Sequence, residues 1–345
     1  MCRLIVIMPA YLLMVTDMFS MFSFAGFSLV SRLCLVCSLS FIAHSALASS
    51  ESVGEENNTL ALKVVTTFSV LADMVHQIGG KHVSVHTLVD WDEDTHVFQP
   101  SPDDVKQIAE ADLLVLNGLG FEGWLARLLS AAEYTGPTVE ASKGVELIRL
   151  SSDLDAHKRE DSHGHNSKAN VYDPHAWHSL KAGLVYVENI AQALINIDSK
   201  NASDYARNVK SYSGKLKKLD ETISFRISKI ADEKRRMVVP HNAFAYLARD
   251  YDLHIHSLQG LSTDSEASAA DLAKIVRLIR SLKIKAIFTE SISDKRLIRV
   301  VESETAATIE GALVSGALSR KLAPSYLEMM EYNSRLVLNA LTKNE

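Results

Sequence analysis

The chain has 345 residues, 47% of them hydrophobic, and a formal net charge of -6. That length supports one large or two medium domains, each with its own core. The mild acidity argues against a nucleic-acid surface, which needs clustered Lys and Arg. All three cysteines, Cys2, Cys34 and Cys37, fall within the first 48 residues. The remainder therefore carries neither a disulfide framework nor a thiolate metal site. Any metal held there is held by imidazole and oxygen.

Residues 1–48 hold only Arg3, Asp17 and Arg32 as charges and are otherwise mostly apolar or small. Arg32, the apolar run Leu33 to Ile42 and the closing Ser45-Ala46-Leu47-Ala48 supply the parts of a secretory signal peptide cleaved after Ala48. The segment is long for a signal, and Met18 and Met21 are alternative starts. A retained N-terminal membrane anchor is the rival reading. A lipoprotein is disfavoured because Val36, before Cys37, is bulkier than the usual small residue. Residues 49–60 are polar and read as a flexible tail.

Alternation then begins. Leu62 to Phe68 reads as a strand rich in β-branched residues, and Ser69 to Ile78 as a helix ended by Gly79-Gly80. Val83 to Val89 is a strand, Ser101 caps a helix with Pro102, Asp103 and Asp104 in its first turn, and Leu113 to Leu116 is a buried strand. Tyr205, Val209, Tyr212, Leu216, Leu219, Ile223, Ile227 and Ile230 recur every three or four residues, which predicts a long amphipathic helix from about Ser203 to Ile230. Strands follow at Met237 to Val239, Leu253 to Leu258, Ala286 to Thr289 with Glu290 at its end, and Thr308 to Glu310. Helices are expected at Ala243 to Asp250, Ala269 to Leu282, between the last two strands, and from Ser325 to Leu341. The pattern predicts an α/β fold: two lobes with mainly parallel sheets flanked by helices, joined by one long backbone helix. The expected limits are 61–200 for the N-terminal lobe, 201–233 for the connecting helix and 234–345 for the C-terminal lobe.

Three histidines stand where such a fold gathers side chains. His96 lies in a loop between a strand and the well-capped helix, where irregular backbone can aim a ring into a cleft. His175 follows Asp173-Pro174 and precedes a helix expected near Ala176. His241 directly follows a strand end, the edge at which α/β sheets bind ligands. Neutral imidazole is a common ligand for zinc and related ions. His157, His163 and His165 belong to a charged loop, 153–166, that reads either as an auxiliary metal loop or as a solvated surface. His76, His82, His86, His178, His254 and His256 have no evident partner and are read as structural.

These runs resemble the solute-binding proteins of zinc and manganese ABC importers. Asp94-Thr95-His96-Val97-Phe98-Gln99-Pro100-Ser101 is similar to that family's Asp-Pro-His-x-(Tyr or Phe)-(Glu or Gln)-Pro-(Ser or Thr). Asp173 to Trp177 matches Asp-Pro-His-x-Trp in full, and His241 to Phe244 matches His-(Asp or Asn)-Ala-(Phe or Tyr). The resemblance runs from about Leu62 to Leu341 and implies that His96, His175 and His241 are metal ligands. It also implies a periplasmic location, an ABC permease as partner and a monomer. Thr95 replaces a common Pro. The family's fourth ligand, an Asp in a Leu-Tyr-Ser-Asp-Ala-Leu-Ser run, falls on Gly316 here. Either water or a carboxylate completes the site, or binding is weaker or lost. Glu290 is the nearest analogue of a pocket acid, as fourth ligand or as a hydrogen-bonding support, with Glu93, Asp264 and Glu266 as further candidates.

Three imidazoles without a carboxylate suit zinc better than manganese, which favours oxygen. Within the family a third-position His goes with zinc and Glu with manganese. Affinity order alone also admits copper and nickel. The expected function is periplasmic capture of zinc for an ABC permease, with manganese or another divalent metal as the alternative and a surface adhesin of the same fold as a further reading. A zinc hydrolase is disfavoured, since no His-Glu-x-x-His helix and no paired nucleophile or general base is present.

Overall fold

The computed structural model describes residues 61–150, 172–264, 267–292 and 294–343. The leader, the tail, the histidine loop 153–166 and Glu266 lie outside the described residues.

In the N-terminal lobe β1 (Leu62–Phe68), β2 (Val83–Val89), β3 (Leu113–Leu116) and β4 (Thr138–Glu140) form a parallel sheet in the order β2-β1-β3-β4. Parallel neighbours cannot be joined by a tight hairpin, so each link crosses over through a helix. These helices are α1 (Ser69–Gly79), α2 (Pro102–Ala109) and α3 (Leu125–Ala131). Ser101 and Asp104 close a capping box at the start of α2, as its sequence predicts. Neither α3 nor β4 was legible beforehand. Trp124 makes no side-chain cap for the seven-residue α3, and the three residues of β4 are largely exposed.

One helix start is corrected. Instead of a helix from Ala176, the chain makes a single 3-10 turn, Ala176–His178, and α4 (Leu180–Ile197) begins after Ser179. Ser179 is extended and its hydroxyl accepts the Ala182 N–H at 3.0 Å, so the true N-cap lies beyond His175 rather than on it.

Next comes α5 (Ala202–Ile227), 26 residues and about 39 Å long. Its inner face carries Tyr205, Tyr212, Leu216, Ile223 and Ile227, all buried, and the helix packs mainly against α1 and α4. Asn208 donates to the Ile78 carbonyl at 2.8 Å in the N-terminal lobe, and Asp220 accepts the Tyr251 hydroxyl at 2.7 Å from the C-terminal lobe. Gly214 is exposed and meets nothing, so the helix carries it without a packing consequence.

The C-terminal lobe repeats the plan. β5 (Arg236–Val239), α6 (Ala245–Tyr251), β6 (His254–Ser257), α7 (Ala269–Leu282), β7 (Ala286–Glu290), α8 (Arg296–Glu304) and β8 (Thr308–Leu313) build a parallel sheet in the order β6-β5-β7-β8. All of β7 is buried, as expected of a strand covered on both faces. α6 starts two residues later than the sequence implied, because Pro240 to Phe244 forms the loop that carries His241.

A last helix, α9 (Tyr326–Thr342), returns the chain to the first lobe. The Tyr326 N–H donates to Asp73 on α1 at 2.8 Å, and the Leu318 N–H to the Ser69 hydroxyl at 2.9 Å. One apolar core consequently runs from Val64 and Leu71 through Tyr186 and Leu216 to Met329 and Val337. A smaller one, with Ile275, Ile279 and Val301, lies under α7 and α8. Rotating the lobes far apart would expose shared apolar surface at about 25 cal/mol per Å². Large hinge closure is thereby disfavoured.

Candidate metal site

β5 and β7 are neighbours on either side of the point where strand order reverses, the usual ligand edge of an α/β sheet. His241 follows the end of β5 by one residue, Pro240, and Glu290 is the last residue of β7. From the opposite lobe, two turns of the same design deliver His96 and His175. In each an Asp two residues upstream accepts the backbone N–H of the histidine: Asp94 for His96 at 2.9 Å and Asp173 for His175 at 2.9 Å. Such Asx turns fix the direction in which the following side chain leaves the backbone. Asp94 is itself tied across the mouth, accepting the Thr263 hydroxyl at 2.6 Å.

The three rings converge. One nitrogen from each of His96, His175 and His241 lies within 4.8 Å of the others, and no His, Cys, Asp or Glu beyond these three joins the cluster among the described residues. The Nε2 atoms of His96 and His175 are 3.3 Å apart, and ring centroids are separated by 5.4 to 5.7 Å. His175 and His241 are fully buried, His96 half-buried. His175 Nδ1 contacts Asp173 Oδ1 at 2.8 Å, and His241 Nδ1 contacts Glu290 Oε1 at 2.8 Å. An Nδ1–H donated to a carboxylate places the lone pair of a neutral ring on Nε2, which is how supporting carboxylates orient metal-binding histidines. The Nε2 of His241 is buried without a hydrogen-bond partner among the described residues. A buried acceptor left that way costs about 1–3 kcal/mol, and a cation at the common point would satisfy it.

Electrostatics differ between the two buried rings. Burial lowers the pKa of His175, only partly opposed by its bond to Asp173, so this imidazole stays neutral. Burial also pulls His241 down, but the charge and hydrogen bond of Glu290, with Asp94 and Asp173 adding, outweigh it and leave the pKa raised. For Glu290 burial pushes upward, and His241 together with the Ser315 hydroxyl more than offsets it, holding the carboxyl below its usual range. A cation at His241 would therefore compete with a proton, whereas at His175 it would not.

An aromatic wall backs the rings. Phe121 stands edge-on to His96 at 5.1 Å and to His175 at 5.8 Å, and packs on Trp177 at 4.6 Å and Phe68 at 5.2 Å. Aromatic pairs of this kind contribute about 0.5–1.5 kcal/mol each beyond their burial. The loop that presents Phe121 runs through three positive-φ residues, Gly118, Leu119 and Gly120. For Leu119 that conformation costs about 1–2 kcal/mol. The buried Glu122 carboxylate holds the loop, accepting from the Thr67 hydroxyl at 2.7 Å and from the Asn117 and Gly118 N–H groups at 2.6 and 3.2 Å.

The remaining sequence candidates distribute as follows. Glu290 sits behind His241: its oxygens accept from His241 and from the Ser315 hydroxyl, so it supports the ring from the Nδ1 side and lies outside the donor cluster. Glu93 and Asp264 are exposed and also outside it. Gly316 offers only its carbonyl, which accepts the Thr95 hydroxyl at 3.3 Å. His82 and His254, unpartnered in the sequence reading, meet Asp204 at 2.8 Å and Asp232 at 2.9 Å. His178 is buried against Phe244, 4.5 Å between ring centroids. Sequence reasoning missed Asp173, Phe121 and Ser315. Only Asp173 left a readable trace, the Asp-x-His spacing repeated at Asp94.

Two alike parallel-sheet lobes, braced by one helix and facing each other across imidazoles from both, define a two-lobed solute-binding protein of the metal-transport class. The profile of the family described as zinc-uptake complex component A, periplasmic (ZnuA) matches residues 64–340, and the chain belongs to this family, the substrate-binding components of metal ABC importers. It is 31% identical over 317 residues to the manganese ABC transporter substrate-binding lipoprotein PsaA of Streptococcus anginosus, covering 90% of this chain and 98% of that protein. Among solved structures it is similar to the Mn-bound periplasmic metal-binding protein of Candidatus Liberibacter asiaticus, with TM-score 0.71, 29% identity, and coverage of 81% of this chain and 99% of that one. The periplasmic zinc-binding protein TroA of Treponema pallidum gives TM-score 0.71 at 26% identity, with the same coverage.

Proposed function

We propose that this chain captures zinc outside the cytoplasmic membrane, in the periplasm, as a monomer and hands it to an ABC permease, with His96, His175 and His241 as the ligands. The observation that carries the reading is the meeting of three imidazole nitrogens from two lobes within 4.8 Å. Zinc takes four ligands in tetrahedral array with Zn–N at about 2.0–2.1 Å, and three neutral rings supply most of that set. Glu290 and Asp173 act one layer out, fixing which nitrogen of each ring faces the ion. Manganese is the second reading, favoured by the names of the relatives in Streptococcus and in Candidatus Liberibacter asiaticus. The donor set argues the other way, because manganese prefers carboxylate and water oxygens.

Titrating metal-stripped protein with zinc and manganese, at pH 7.5 and again at pH 5.5, tests both points. Zinc is expected to bind the more tightly at pH 7.5. Its affinity should fall as the medium is acidified, because below its raised pKa His241 carries a proton on the nitrogen that must bind. One displaced proton corresponds to about tenfold per pH unit below that pKa. Stronger manganese binding would overturn the zinc assignment, and a flat zinc affinity across this range would overturn the three-histidine site.

A further inference from the structure

Between β8 and α9 the residues Ser315 and Gly316 touch all three histidine-bearing segments. The Ser315 carbonyl accepts the Trp177 indole N–H at 3.0 Å, two residues past His175. The Ser315 hydroxyl donates to Glu290 Oε2 at 2.7 Å, on the carboxylate that holds His241. The Gly316 carbonyl accepts the Thr95 hydroxyl at 3.3 Å, beside His96. Ser315 is fully buried, as are Trp177, Thr95 and Glu290.

We propose, building on the metal-capture reading above, that Ser315 is a positioning residue of the site: with Gly316 it forms a hub that holds the three imidazoles at the spacing one ion requires. The argument is geometric. The rings come from loops in different lobes, and ring placement within about 0.5 Å separates a competent site from a loose one. Two arms of the hub use backbone carbonyls and fix the two loops of the N-terminal lobe. The third uses the Ser315 hydroxyl, in a charge-assisted O–H···O⁻ bond, a class roughly twice as strong as neutral ones. That bond stops the Glu290 carboxylate from swinging and so fixes the tilt of His241. In this chain position 316 supplies a carbonyl to the hub and no side chain.

Ser315→Ala removes one arm and leaves both carbonyl arms in place. Measured on the full chain by competition with a chromophoric zinc chelator, it should raise the zinc Kd about tenfold, the usual scale for losing an outer hydrogen bond to a ligand. In a His241→Ala background the same change should alter Kd by less than about twofold, since its effect travels only through His241. Thr95→Val tests a second arm and should weaken zinc binding likewise, an effect lost in a His96→Ala background. Thermal melting of the metal-free variants checks that each is folded. An unchanged Kd in Ser315→Ala, or equal losses in both backgrounds, overturns the hub while leaving metal capture standing. Failure of the unmodified chain to bind zinc or manganese overturns both.

Discussion

Replacing His241 with alanine is expected to weaken zinc binding about a hundredfold or more. Structural zinc sites are worth about 10–16 kcal/mol in total, so deleting one of three protein donors removes several kcal/mol. The change also takes the ring and its charge from Glu290, which is fully buried and keeps only the residue-241 N–H and the Ser315 hydroxyl as donors. Removing one partner of a buried pair costs about 3–5 kcal/mol, so the metal-free variant should melt well below the unmodified protein. The pH dependence has a definite sign. Burial is already the largest influence on Glu290; without the charge and ring hydrogen bond of His241 it is opposed only by the Ser315 hydroxyl and the residue-241 N–H, and the folded pKa is expected to rise above the unfolded value. The folded variant then binds the extra proton, and its own stability should rise as pH falls through that raised pKa. Zinc titration and melting curves from pH 7.5 to 5 test both parts. Unaltered zinc affinity in the variant would contradict the assignment of His241.

Gly316→Asp should raise manganese affinity about tenfold or more and zinc affinity by less, because a carboxylate adds the hard oxygen donor that manganese favours. The position can take the side chain. Gly316 is not among the positive-φ residues, and a Cβ built there meets only Ile292 Cδ1 at 3.1 Å, the far end of a flexible side chain that has to yield a few tenths of an ångström. Its carbonyl already lies against Thr95, next to His96, so the new carboxylate starts near the cluster. Parallel titrations of both metals on the two proteins decide the matter. An unchanged manganese affinity would show that residue 316 is out of coordinating reach, and that the glycine is not the cause of the metal preference.

The limits of β1, β2, β3 and α7 were readable because the strands are short runs rich in β-branched and aliphatic residues, α7 opens on a Ser268 cap, and the ends carry Gly, Ser or Asp signals. His241 was readable as a strand-end residue, and His96 and His175 as turn residues. Less could be read where the fold is set from a distance. Nothing local announces that Trp177 meets Ser315, 138 positions later, or that Tyr326 reaches back 253 positions to Asp73. Glu290 was legible as a pocket acid, but whether it faces the ion or the far side of His241 depends on how β7 lies beside β5. Phe121 sits on a loop whose positive-φ Leu119 no propensity favours, because the buried Glu122 holds that shape from beneath.

The most direct measurement is a crystal structure of the zinc-loaded chain with diffraction recorded at the zinc absorption edge. A single anomalous peak is expected about 2.0–2.1 Å from a ring nitrogen of each of His96, His175 and His241, with Glu290 still on the Nδ1 side of His241. A zinc ion bound elsewhere, or held by rings of one lobe alone, would contradict the convergence of the two lobes on a shared cargo site.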